Sequence, residues 1–164
     1  MKPADFAKVK LAERDLRHAR NGNTRYVVEP NIKEGKGGLR DLHTLFWIAK
    51  FAYRANSIID IVEQGVLRES EARRFAAAQR FLWTVRCHIH LRSGRPDERL
   101  DFEAQMAIAP LMGFADRSGM QAVERFMKRY YLAARDVGNL TRIMCAAMEM
   151  DCLLYTSPSP RDGW

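Results

Sequence analysis

The residues best suited to chemistry lie in "EPNIKEGKGGLRDL", Glu29 to Leu42. Gly35, Gly37 and Gly38 would let backbone N–H groups approach an anion at the start of a helix, and Lys33, Lys36 and Arg40 would add positive charge. That chemistry would hold phosphate oxygens. The spacing is not that of the P-loop, and any tight junction into a helix also needs glycines, so a structural hinge is the competing reading. If one side chain reaches a triphosphate, Lys33 is the expected one. Glu29 could serve as a metal carboxylate, with a cap or ion pair as its alternative role.

Other reactive side chains are poorly arranged. His88 and His90 stand two apart on a helical pattern and diverge, so they cannot share a metal. Cys87, Cys145 and Cys152 are odd in number and far apart, which gives neither a disulfide framework nor a zinc pattern. The first two read as buried thiols. Tyr130 and Tyr131 beside Arg129 fall on an apolar stripe and read as core. Arg92, Arg95 and Arg99 around Pro96 form the best basic cluster outside the glycine loop, with a solvated loop as the default.

The composition is globular, with 47% hydrophobic and 10% aromatic residues in 164 positions. Lys and Arg outnumber Asp and Glu by 27 to 20, which suits a phosphate-bearing partner. The basic residues are spread over several helix faces, which points away from nucleic acid. No apolar run approaches the ~18 residues of a membrane span, and "KPADFAKVK" has no signal-peptide core. The expected setting is a reducing cytoplasm.

The elements that must position the loop are mostly helices. Ala4 to Arg20 reads as a charged helix stopped by "NGN". "TRYVVE", Thr24 to Glu29, is the only expected strand. Leu39, Leu42, Leu45, Phe46, Ala49, Ala52 and Tyr53 then mark a helix face. Ser57 and Asp60 cap a short helix through Gln64. Long helices follow over about Glu69 to Leu91 and from about Met120 onward, with a shorter one near Phe102 to Met112. The predicted fold is mainly α: a helical bundle preceded by one strand left over from a truncated sheet, since a lone strand is not stable. The end, "CLLYTSPSPRD", resembles a translated sequencing adapter. Residues 152–164 are therefore read as a non-native tail that leaves the helical pattern, and the rest as an internal piece of a longer protein.

The block "NGNTRYVVEPNIKEGKGGLRDLHTLFWIAKF" resembles the segment after the nucleotidyltransferase core in the bifunctional uridylyltransferase and uridylyl-removing enzyme of the PII nitrogen-signalling system. "LWTVRCHIHLRSGRPDERLDFEAQ" and "VERFMKRYYLAARDVGNL" are similar to the helical region that follows it, in the same order. The likeness runs from about Leu11 to Met148. The glutamine synthetase adenylyltransferase, which carries a related Lys-Gly-Gly-(Leu/Ile)-Arg-acid run, is the nearest competitor. A freestanding basic bundle that binds an acidic protein or RNA is the alternative from another class.

The resemblance implies a parent that uses Mg2+ to transfer UMP from UTP to a tyrosine of the PII protein and later removes it. Residues 1–38 would then be the end of the nucleotidyltransferase domain and residues 39–151 a helical bundle domain. The partners would be PII, UTP and the flanking domains of the same chain. No Gly-Ser dipeptide, no Asp-x-Asp and no His-Asp dipeptide occurs here. This piece is accordingly expected to be inert alone and to bind no metal.

Overall fold

A computed structural model describes the backbone of residues 1–156 and the side chains of residues 1–150. Six helices follow in order: α1 (Pro3–Arg20), α2 (Leu39–Tyr53), α3 (Ile58–Glu63), α4 (Glu69–Ser93), α5 (Phe102–Leu111) and α6 (Ala122–Thr156). The mainly helical class follows from the apolar spacing. Leu82, Val85 and Ile89 of α4 meet Phe126, Tyr130, Val137 and Met144 of α6 in the central seam, and Leu39, Leu42, Leu45 and Ile48 of α2 close the core from one side. α5 lies over α4 and α6, while α1 packs mainly on α2 and sends Ala7 into the same core.

Local chemistry sets several of the helix ends. Ser57 and Asp60 form a reciprocal capping box on α3, as their spacing indicates. The side chain of Asp101 accepts the Ala104 N–H at the start of α5.

Two expectations are corrected. Thr24 to Glu29 forms no strand; among the described residues there are only isolated bridges, one of them between Asn31 and Arg99. The carbonyls that a strand partner would have used are taken by other donors. Val27 O accepts from the Tyr131 hydroxyl, Val28 O from the Gln105 amide and Pro30 O from the Leu100 N–H. β-branched residues favour an extended chain, but here α5 and α6 supply the hydrogen bonds. Thr24 to Glu29 is therefore not a remnant of a sheet.

The second correction concerns the end of the chain. The helix does not break at Cys152 but runs through Thr156. Cys-Leu-Leu-Tyr contains no breaker, and the first proline is Pro158. The remainder of the tail, residues 157–164, lies outside the described residues.

Candidate functional site: the glycine junction and the Asp41 centre

From Pro30 to Gly38 the chain makes a closed turn whose amides point inward. Asn31 organises its first half: the side-chain oxygen accepts from the amides of Lys33 and Glu34, and the main-chain oxygen accepts from Gly35 N. Ile32, fully buried, donates its amide to Glu98 O. The first amides of α2 have partners as well. Leu39 N donates to Ile32 O and Arg40 N to Lys33 O, both at 2.9 Å, and Asp41 N reaches Gly38 O. A helix N-terminus attracts anions through unsatisfied N–H groups, and here the loop satisfies them.

The glycines are required by close approach. Gly37 has φ +81°, and a Cβ there would stand 2.6 Å from Ala134 O of α6. Gly38 is different, because its φ of −86° is open to any residue. A Cβ at Gly38 would meet Ile32 O at 2.5 Å, so the missing side chain makes room for the turn and relieves no left-handed strain.

Asp41 holds this junction to α1. Its carboxylate is only 3% exposed, and it accepts from Gly37 N at 2.8 Å and lies 2.7 Å from His18 Nε2. Arg17 Nη2 donates to its other oxygen. Burial pushes the Asp41 pKa up, but the hydrogen bonds from His18, Gly37 and Arg17, with the charge on His18, outweigh it and hold it below the ordinary value of 3.8. The network extends outward through Glu34, which lies 3.8 Å from Arg17 and 2.8 Å from Arg40.

The cations grouped by sequence are divided by the fold. Lys36 lines a cleft between α1 and α6. The charges of Arg40, Arg86 and Lys33 instead act on His43, whose pKa is lowered first by burial and then by these three. Arg40 is paired with Glu34, whereas Lys33 has no carboxylate within ion-pair distance among the described residues. Glu29 accepts from Arg99 and from the Phe102 amide, a cap and ion pair across the turn.

The remaining candidates are dispersed. Arg92, Arg95 and Arg99 are each paired with a carboxylate, namely Glu103, Asp97 and Glu29. His90 faces Glu98, which Arg86 also holds. Tyr130 is buried, and burial first, then Tyr131 and Asp41 nearby, push its pKa well up. Cys87 is exposed on α4, against the expectation of a buried thiol, because it lies off the Leu82–Val85–Ile89 stripe; Cys145 is half-buried. Among the described residues no three His, Cys, Asp or Glu side chains converge on a metal-sized site.

The GlnD PII-uridylyltransferase family model matches residues 5–145, a span that contains the whole junction and most of the bundle. This chain belongs to the GlnD PII-uridylyltransferase family. It is 58% identical over 145 residues to the bifunctional uridylyltransferase/uridylyl-removing enzyme of Rhodospirillum rubrum, covering 88% of this chain and 16% of that protein. The like-named proteins of Bradyrhizobium sp. strain BTAi1 and Azospirillum brasilense are 57% and 55% identical, covering 89% and 90% of this chain and again 16% of each relative. The chain thus spans about one sixth of the length of these relatives. No solved structure matches it.

Sequence reasoning passed over Asp41, Arg17 and His18. A signal was present: Asp41 sits four and seven residues before Leu45 and Ile48, on the buried face of α2, where a carboxylate needs partners.

Three outcomes follow. Asp41→Ala leaves Arg17 and His18 facing an empty site and should cost about 3–5 kcal/mol in denaturant unfolding, the range for breaking a buried pair. Gly37→Ala should cost about 1–3 kcal/mol by overpacking against α6, whereas Lys33→Ala should stay within about 0.5 kcal/mol. Stability should also fall in two acid steps. His43, with its folded pKa depressed, is protonated more readily in the unfolded chain, so stability falls as pH drops below 6.5. The Asp41 contribution is present above 3.8 and is lost as pH falls below that through its lower folded value. Urea melts at stepped pH check both.

Proposed function

We propose that this chain is the rigid helical support that, in its parent enzyme, follows the nucleotidyltransferase core and joins it to the uridylyl-removing module. Residues 1–38 would be the closing stretch of that core, although they pack against the bundle. The parent would transfer UMP from UTP to a tyrosine of PII in the cytoplasm, with Mg2+ held by carboxylates elsewhere, and would remove it again. The family match over residues 5–145 carries this reading, because the relatives are named for both activities and share this region at 53–58% identity. The inward amides of Leu39 and Arg40 support a structural role for the glycine loop, since they leave α2 few donors for phosphate.

Two experiments test the proposal. The isolated chain, given PII, UTP and Mg2+, should transfer no UMP, and given uridylylated PII it should release none. Residues 5–145 placed in the Rhodospirillum rubrum enzyme, in place of the matching segment, should preserve both activities. A folded chimera that has lost both would overturn the proposal, as would transfer by the isolated chain. In that chimera Lys33→Ala should leave transfer within about twofold; a ten- to hundredfold weaker use of UTP, equivalent to ~1.5–3 kcal/mol, would instead put Lys33 on the triphosphate.

A further inference from the structure

The outward face of α2 meets α4 at His43, whose ring lies 6.0 Å from that of Trp83. Arg40, His43, Trp47 and Lys50 recur along α2 at intervals of three and four residues, so they share that face. Trp47 is 53% exposed and Trp83 37%. Tryptophan is highly buried on average, and two left open on one face mark a contact surface. Each ring carries a cation: Lys50 Nζ stands 5.5 Å from the centroid of Trp47, and the Arg86 guanidinium 5.0 Å from that of Trp83.

The face is short of acid. Asp41 is the one carboxylate of α2 and is turned towards α1, and α4 has none after Glu71. Glu34 and Glu98, from neighbouring loops, are already taken, the first by Arg17 and Arg40 and the second by Arg86 and His90. Lys33, Lys50 and Arg80, which lies one turn before Trp83, have no carboxylate within ion-pair distance among the described residues. Burial first, then Arg40, Arg86 and Lys33, lower the His43 pKa, so an uncharged ring stands between the cations at neutral pH.

We propose that this face docks an acidic segment of a separate partner protein, with apolar side chains spaced between its carboxylates. Aromatic rings with cations around them match the make-up of protein interfaces, where Trp and Arg are enriched among the residues that carry the binding energy. The carboxylates pair with Lys33, Lys50 and Arg80, and the apolar side chains pack on the ring edges and the lysine stem. Nucleic acid fits less well. A base stacks on an open ring face, and here Lys50 and Arg86 lie over the rings. Docking is independent of the support role proposed above, because it is read without either activity.

The test is selection of phage-displayed random peptides on the 164-residue chain, followed by calorimetry with the peptides obtained. These should be rich in Asp and Glu with Leu, Phe or Trp between them, and should bind more weakly as salt rises. Trp47→Ala and Lys50→Glu should each weaken binding about tenfold or more, the loss expected at the centre of an interface. Lys128→Glu, in a separate pocket of α6 beside Tyr26, should stay within about twofold of the parent chain. If Trp47→Ala does not fold, Lys50→Glu alone carries the expected loss. The same peptides should bind the folded Rhodospirillum rubrum chimera, which shows the face free of the parent's own chain. No enrichment, enrichment of basic or uncharged peptides, or equal losses in Lys128→Glu would overturn the proposal. So would a folded chimera that binds none of the peptides, a dimer of this chain that Trp47→Ala dissociates, or poly-uridylate bound more tightly than any peptide.

Discussion

The fold is organised around one buried carboxylate. Asp41 joins three pieces: the end of α1 through Arg17 and His18, the glycine turn through Gly37 N, and α2, on which it sits. A buried charge is tolerated only with its lone pairs occupied, so this arrangement specifies one position of α1 against α2. The remaining geometry follows from it. With Gly37 N drawn to Asp41, the turn lies close against α6, which leaves no room for a Cβ at that position. The carbonyls of Ile32 and Lys33 then face the first amides of α2.

This constraint explains how a phosphate-loop composition yields a different structure. Glycines, lysines and a following helix are common to anion cradles and to tight junctions, and the distinction depends on where the amides point. Here Asn31 and the loop carbonyls take up the inward-facing donors. The positive charge is then left to side chains, and the fold distributes it on two sides: Lys33 and Arg40 towards His43, and Lys36 towards Arg25 and Arg142.

The helical bundle was legible because apolar spacing of three and four residues survives in each helix, from Leu39–Leu42–Leu45 to Tyr130–Val137–Met144, and because Ser57 and Asp60 announce their cap. Thr24 to Glu29 was misleading because its β-branched residues fit any extended segment, and only the tertiary positions of Gln105 and Tyr131 decide what its carbonyls bond. The Asp41 centre was hidden for a related reason: Arg17 and His18 lie 24 and 23 residues away, and no local pattern pairs them with it. The close approach of Arg25 to Gly138 was unreadable, since the two lie far apart in the chain.

The glycine loop is a closed junction whose amides serve the protein itself. Residue-resolved amide hydrogen exchange, with and without UTP, tests it most directly. The amides of Lys33, Glu34, Gly37, Leu39 and Arg40 should be protected to the level of the α2 interior in the free chain, and UTP should change that protection no more than it changes the α2 interior. Rapid exchange at Leu39 and Arg40 that is suppressed on adding UTP would show amides open to phosphate and would contradict a closed junction.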